Sequence, residues 1–155
     1  MSDMSFSESG QTLGFLLRSL YDALQVRVYG ELAASGFPDI RVAHSVVFRH
    51  IARTGSRVSD LAEKARMTKQ SMAYLVEILA EGGYVTIRSD PADGRAKTVR
   101  LTARGRNVAQ TLVQLSRNVE AEFARLIGSD EMAMLRQLLD DLVRALERAE
   151  RSLTP

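Results

Sequence analysis

Apolar side chains recur at helical spacing towards both ends of the chain. The first stripe contains Leu13, Leu16, Leu17, Leu20, Leu24 and Val28. The second contains Val108, Leu112, Leu115, Val119, Phe123 and Leu126, and the third contains Leu135, Leu138, Leu139, Leu142, Leu146 and Ala149. These spacings predict amphipathic helices over residues 11–35, over residues 103–127 after a Thr102 cap, and beyond a Gly128 stop and a Ser129 cap. The near-heptad spacing of the last helix favours helix-on-helix packing, including packing between chains.

A further helix is predicted over residues 39–53. One apolar stripe comprises His44, Val47, Phe48 and Ile51, and Ala43, Val46 and His50 partly fill another. A helix that is apolar on two sides is expected to lie between other elements. The breakers Gly36-Phe37-Pro38 and Thr54-Gly55-Ser56 bound it.

The next residues predict a short helix, a tight turn and a longer helix. Their predicted order is Val58 as an extended step, Ser59 as an N-cap, residues 60–65 as a helix, Arg66-Met67 as a turn, Thr68 as an N-cap and residues 69–81 as a helix. Gly82-Gly83 ends the longer helix. This order is typical of a helix-turn-helix.

The longer helix has an apolar face and a polar face. The residues that should pack inward are Met72, Leu75, Val76 and Leu79, and those that should point away are Gln70, Tyr74, Glu77 and Glu81, with Ala73 on the flank. Near its amino end, Lys69, Gln70 and Ser71 could contact phosphates and base edges in a major groove. An ordinary amphipathic surface helix has the same pattern, so both interpretations stay open.

Two extended segments follow and predict a β-hairpin with a long, charged tip. The segments are residues 84–88 and 97–101, and residues 89–95 form the predicted turn. The hairpin carries Arg88, Arg95, Lys97 and Arg100 against Asp90 and Asp93. A long arginine at such a tip can enter the narrow, electronegative minor groove, and Asp93 is placed to orient the guanidinium of Arg95. A solvated charged turn is the alternative.

Charge is distributed unevenly along the chain. Residues 41–106 hold 13 basic and 6 acidic side chains, a net charge of +7, whereas the remainder holds 8 basic and 13 acidic ones, a net charge of −5. A basic middle between acidic ends suggests that one part faces a polyanion.

Composition excludes several classes of protein. There is no cysteine, which removes disulfides, thiolate metal sites and cysteine redox sensing. No apolar run is long enough for a transmembrane helix, and the polar residues 1–10 are expected to be a flexible arm, not a secretory signal. A cytoplasmic protein without a cofactor, and with no membrane partner, is the default expectation.

Enzyme and metal-sensor interpretations find little support. The only histidines, His44 and His50, lie six positions apart and therefore on different helix faces. Neither has an evident nucleophile or metal-ligand companion, and no phosphate-binding glycine loop is present. A winged helix that binds a protein partner instead of DNA is the more serious alternative. The lack of paired exposed aromatic residues argues against single-stranded RNA.

Three stretches of the chain resemble the MarR family of bacterial transcription regulators. They are Val58-Ser59-Asp60-Leu61-Ala62-Glu63-Lys64-Ala65, Met67-Thr68-Lys69-Gln70-Ser71-Met72, and Asp90-Pro91-Ala92-Asp93-Gly94-Arg95 continuing to Val99-Arg100-Leu101-Thr102. The resemblance implies a mainly α fold with a small β-hairpin wing, namely a winged helix-turn-helix with N- and C-terminal dimerisation helices. It assigns residues 39–102 to the DNA-binding lobe and residues 11–38 and 103–155 to the dimerisation region.

The resemblance also implies a function and its residues. A homodimer would bind a pseudo-palindromic operator in double-stranded DNA as a repressor. By position, Lys69, Gln70, Ser71 and Tyr74 match the family's recognition-helix contacts, and Arg95 matches its wing arginine. Together with the residues that the pattern itself indicates, the expected DNA-binding residues are Thr68, Lys69, Gln70, Ser71, Ala73, Tyr74, Arg88, Arg95 and Lys97. Many members carry Thr and Arg where this chain has Ala73 and Tyr74, so its operator cannot be taken from a relative. Family members usually release DNA when a small molecule binds, often a phenolic or aromatic acid. The expected pocket residues here are Arg18, Tyr21, His44 and Phe48, with Arg18 or His44 as the anion partner. Plain core packing is the alternative role for these residues, above all for Phe48.

Overall fold

The computed structural model describes residues 12–90 and 93–152, without the side chains of Asp90 and Arg95. The predicted arm at residues 1–10 lies outside this part of the chain. The described elements are, in chain order, α1 (Leu13–Ala34), a 3₁₀ turn (Val42–His44), α2 (Ser45–His50), β1 (Ser56–Arg57), α3 (Val58–Lys64), α4 (Lys69–Glu81), β2 (Val85–Asp90), β3 (Asp93–Leu101), α5 (Ala103–Ile127) and α6 (Ser129–Ser152). The predicted fold class, mainly helical with a small sheet, is confirmed.

The strands form one antiparallel sheet in the order β1-β3-β2. Val85 pairs with Leu101 at the base of the wing, and Ser56 pairs with Val99 on the other side of β3. The strands continue to Asp90 and resume at Asp93, with a register shift near the tip. The predicted turn over residues 89–95 was therefore too long, because backbone pairing between the strands outweighs the local turn preference of Asp and Gly.

The helix predicted over residues 39–53 is much shorter in the structure. Only the 3₁₀ turn and α2 are helical, and Ile51 already has extended backbone angles, φ −70° and ψ 127°. In a continuing helix the N–H of Ala52 would donate to a carbonyl four residues earlier. It donates instead to the buried hydroxyl of Ser56, at 2.9 Å. This local hydrogen bond, to a side chain four residues further along the chain, takes the place of the next helical turn.

The start of α3 also differs from the prediction. Ser59 is not its N-cap and Val58 is not an extended step, because α3 begins at Val58 and Arg57 precedes it with extended backbone. Pairing of Arg57 with Thr98 on β3 places the extended step earlier in the chain. Similarly, α6 already includes Ser129, which was predicted to cap it.

Helix α4 agrees with its predicted boundaries. The side chain of Thr68 accepts a hydrogen bond from the backbone N–H of Ser71 at 3.1 Å, which confirms it as the N-cap. Arg66 adopts a left-handed conformation, φ 52°, in the tight turn before it. The predicted inward face is buried in full, and its members are Met72, Leu75, Val76 and Leu79. The polar face of α4 is consequently fixed relative to the core.

A hydrogen-bonded joint connects the base of the wing to the start of α5. The Tyr84 hydroxyl donates to Asp39 at 2.6 Å and accepts from Arg104 at 2.8 Å, and the Arg104 guanidinium lies 4.7 Å from the Tyr84 ring centre. Burial raises the pKa of the Tyr84 hydroxyl, which keeps it protonated for this donation. Thr102 caps α5 as predicted, by accepting from the N–H of Gly105 at 3.0 Å.

The chain divides into two compact units, which meet in sequence between Ser116 and Arg117. The first contains α1 to the wing and the start of α5. The second contains the rest of α5 and α6, with an ion pair of 2.6 Å between Arg136 and Glu120. None of the described residues of α6 is buried, although its apolar stripe is regular. Its exposed apolar residues are Met134, Leu138, Leu142, Val143 and Leu146.

Candidate nucleic-acid interface

The first turns of α4 present the polar residues that the sequence indicated. Lys69, Gln70 and Ser71 are exposed, and 64% of the Tyr74 surface is accessible. The Thr68 hydroxyl donates to the Ser71 hydroxyl at 2.8 Å, so Ser71 keeps its own proton for another acceptor. A cap of this kind fixes the position of Ser71, whereas Gln70 and Tyr74 project from the helix. The arrangement offers several donors on one accessible helix face.

A groove lies between α4 and the wing, and we call it the wing-side groove. Its volume is about 490 Å³, and it is lined by Arg57, Val58, Ser59, Lys69, Ala73, Asp93, Ala96 and Lys97. Among these described residues are three cations, each from a different element, and one carboxylate. The predicted residues Lys69, Ala73 and Lys97 are thus brought together with Asp93.

Two of the predicted wing residues, Arg88 and Arg95, are not among the described residues that line the groove. Arg88 is exposed on β2 opposite Thr98 and does not line the wing-side groove. Arg95 lies in β3, but its side chain is outside the described part, so its orientation by Asp93 stays a prediction. Sequence reasoning missed Arg57 and Ser59 in the groove. The sequence pattern that could have indicated them is the extended step before α3. It was predicted at Val58 but lies at Ser56–Arg57.

A second cavity lies on the opposite flank of α4, and we call it the helix-side cavity. Its volume is about 670 Å³, and it is lined by Tyr21, Val42, Ala43, Ser45, Val46, Arg49, Met67, Gln70, Ser71, Tyr74 and Leu75. Arg49 is the one cation among the described residues that line it. The spacing of Val42, Ser45, Val46 and Arg49 along one face could have indicated this arginine.

The structure does not bring the four expected pocket residues together in this cavity. Tyr21 lines it, whereas Arg18, His44 and Phe48 do not. Arg18 donates to Asp22 on its own helix at 3.1 Å. His44 is buried, and its Nδ1 accepts from the backbone N–H of Arg41 at 3.0 Å. Burial lowers the pKa of His44, which favours the neutral imidazole and makes it a poor partner for an anion.

The described residues offer neither a metal-binding group nor a membrane-spanning helix. Within residues 12–90 and 93–152, no group of three or more His, Asp or Glu side chains is arranged to hold a metal ion. Over that same part of the chain, no helix has the length and apolar character needed to cross a membrane.

Comparisons with known proteins give a family match, a related regulator and structures of the same fold. The model of the MarR family matches residues 36–96. The transcriptional regulator HosA of Escherichia coli O127:H6 (strain E2348/69 / EPEC) is 30% identical over 124 residues, which cover 79% of this chain and 88% of HosA. The crystal structure of MarR superimposes with a TM-score of 0.78 at 21% identity and covers 97% of this chain and 99% of that one.

Two solved complexes of a regulator named CouR share the fold. The transcriptional repressor CouR bound to a 23-mer DNA duplex has a TM-score of 0.69 at 19% identity, over 92% of this chain and 99% of that one. CouR from Rhodococcus jostii RHA1 bound to p-coumaroyl-CoA has a TM-score of 0.64 at 21% identity, over 86% and 92% of the two chains.

Proposed function

The chain belongs to the MarR family of transcriptional regulators, and we propose that it is a sequence-specific repressor that binds double-stranded DNA. The observation that carries this proposal is the accessible polar face of α4, which exposes Gln70, Ser71 and Tyr74. The other flank of α4 contributes Lys69 to the cation-lined wing-side groove. The fold is shared with the repressor CouR in its complex with a DNA duplex. In our proposal α4 enters the major groove and the wing enters the adjacent minor groove.

The residues of α4 divide the work of recognition. Gln70 and Ser71 lie in the first turn, where their donors and acceptors can reach base edges. Lys69 and the free N–H groups of the first turn favour phosphate. Tyr74 has no positive charge, so its contacts are van der Waals or through its hydroxyl. Sequence preference therefore rests mainly on Gln70 and Ser71.

Replacing Gln70 with alanine tests the recognition face. We expect Gln70→Ala to weaken operator binding by about 1–3 kcal/mol and to relax preference at one position in each half-site. The matched control is Gln110→Ala, on an exposed position of α5, which should leave affinity unchanged. Fluorescence anisotropy on operator and random duplexes measures both. Equal losses on the two duplexes would make Gln70 a phosphate anchor.

A homodimer is the second part of the proposal. The apolar residues Leu13, Leu16, Leu17 and Leu20 of α1 form one exposed stripe, and the exposed apolar residues of α6 form another. Exposed apolar stripes on helices are typical of surfaces that pack against a second chain. Two lobes in one dimer would contact half-sites about one helical turn, roughly 10 bp, apart, and the operator would be pseudo-palindromic.

The third part of the proposal is release by a small phenolic or aromatic acid. The helix-side cavity has a volume typical of small-molecule sites, and its tyrosines can stack against an aromatic ring while Arg49 binds the carboxylate. Arg49 takes the role first expected of Arg18 or His44. Gln70 and Tyr74 line the cavity and are also proposed to contact DNA. An acid bound there would therefore bind the DNA-free protein more tightly than the DNA-bound protein. Operator affinity would fall by the ratio of these two affinities.

An arginine variant tests the effector site. Among a panel of phenolic and aromatic carboxylates, we expect at least one to dissociate the operator complex, and Arg49→Ala to raise its half-maximal concentration at least tenfold, since charged hydrogen bonds contribute about 1.5–3 kcal/mol. Arg18→Ala removes the same charge outside the cavity and should respond like the wild type. A panel without any active acid, or a shift with Arg18→Ala alone, would refute this assignment.

A further inference from the structure

We propose that the wing-side groove seats the DNA backbone strand that separates the major groove from the minor groove, and that Arg57 is a positioning residue for it. This inference rests on the proposed DNA binding by α4 and the wing. It assigns a role to Arg57 and Ala73 in particular, one as a cation and one as a small side chain that leaves room.

The shape of the duplex supplies the first argument. Neighbouring major and minor grooves are separated by a single sugar–phosphate strand. If α4 occupies one groove and the wing the next, that strand must cross the gap between them. The wing-side groove is this gap, because Lys69 and Ala73 line it from α4 and Ala96 and Lys97 line it from β3.

Charge and space supply the second argument. Arg57, Lys69 and Lys97 converge on the groove from β1, α4 and β3, and Asp93 is the single acid among the described residues that line it. A net positive cleft attracts the polyanionic backbone. Its volume of about 490 Å³ is many times the ~30 Å³ share of one water molecule in liquid water, which suits a run of sugar and phosphate groups.

The fold holds Arg57 in place. Its backbone pairs with Thr98 of β3, and the buried Ser56 before it accepts the N–H of Ala52. Gly55 has φ +101°, and a Cβ there would lie 2.7 Å from Cγ of Arg100, so the loop packs closely on β3. A cation on such a fixed backbone loses less conformational freedom when it binds a phosphate.

The salt dependence of DNA binding tests the role of Arg57. Arg57→Ala should weaken binding to operator and random duplexes by the same factor. It should also reduce the slope of log K against log salt concentration by about 2, because each lost phosphate contact changes the slope by about 0.9 and the proposed homodimer loses one contact per protomer. The control is Arg53→Ala, which removes the same charge from an exposed position outside the groove. Its slope should equal that of the wild type.

Two further measurements locate the strand. In a series of duplexes, each with one neutral methylphosphonate at a different position, one position should weaken DNA binding by the wild type but not by Arg57→Ala.

Ala73→Leu should lower operator affinity at least tenfold without lowering the unfolding temperature, because leucine is a good helix former that would fill the groove. The inference is overturned if Arg57→Ala matches Arg53→Ala in slope while the wild type still selects a specific operator. A wild type without sequence preference would instead refute the proposed function.

Discussion

Replacing Leu138 and Leu142 of α6 with glutamate is expected to convert the proposed dimer into monomers and to lower operator affinity at least 100-fold. The two side chains are 60% and 45% exposed in the single chain. Burying a leucine contributes about 1.5–3 kcal/mol, and an unpaired carboxylate in the same place is strongly unfavourable. In a dimer, binding of one lobe to its half-site holds the second lobe close to the other half-site, which raises affinity roughly 10²–10⁴-fold. A monomer loses this gain.

Sedimentation equilibrium and operator titration measure this prediction together. Gln137→Glu is the control, because it adds a carboxylate to an exposed position of α6 outside the apolar stripe. It should remain dimeric and bind normally. Circular dichroism measures whether the variant with both Leu138→Glu and Leu142→Glu keeps its helices. If the double glutamate variant sediments as a dimer and binds the operator like the wild type, α6 is not part of the dimer interface.

Replacing Gly105 with alanine is expected to lower the free energy of unfolding by about 3 kcal/mol. Gly105 is buried in α5, and a Cβ there would overlap the backbone carbonyl oxygen of Tyr84. That oxygen already accepts the N–H of Thr102 at 3.0 Å. Because the obstacle is backbone, α5 would have to move away from the base of the wing, and overpacking of this kind typically costs about 1–3 kcal/mol.

Gly30→Ala provides the matched control for this substitution. Gly30 is an exposed residue in the interior of α1, and no neighbouring atom comes within 4 Å of a Cβ built there. Alanine is the better helix former by about 0.8–1.0 kcal/mol, so this variant should be slightly more stable than the wild type. Urea denaturation gives both values. Equal effects of the two substitutions would show that α5 does not pack closely on the wing.

Local sequence signals predicted α4 well. A threonine cap, a regular apolar stripe and two glycines at the end all lie within the segment itself, and each favours the same boundaries. The helix predicted over residues 39–53 failed because its end depends on Ser56, whose hydroxyl removes the next N–H from the helical pattern. The wing turn failed for a related reason, since pairing with the neighbouring strand extended both β2 and β3.

The candidate site could be predicted where one element sufficed. Lys69, Gln70, Ser71 and Tyr74 follow from the helical period of α4, and all four are exposed. Arg57 and Arg49 could not be found in this way, because each reaches its groove or cavity only through packing of separate elements. Arg18 illustrates the converse, since a carboxylate one turn away on its own helix engages it. Residue type and spacing predict faces, whereas a pocket requires the tertiary arrangement.

Selection of bound duplexes from a random DNA library, with purified protein at a stated salt concentration, tests the central claim most directly. We predict enrichment of one two-fold symmetric motif with half-sites about one helical turn apart. The contrary result is the absence of any enriched motif, with only weak binding that disappears as salt is raised. That result would contradict sequence-specific regulation and would favour a winged helix that binds a protein partner.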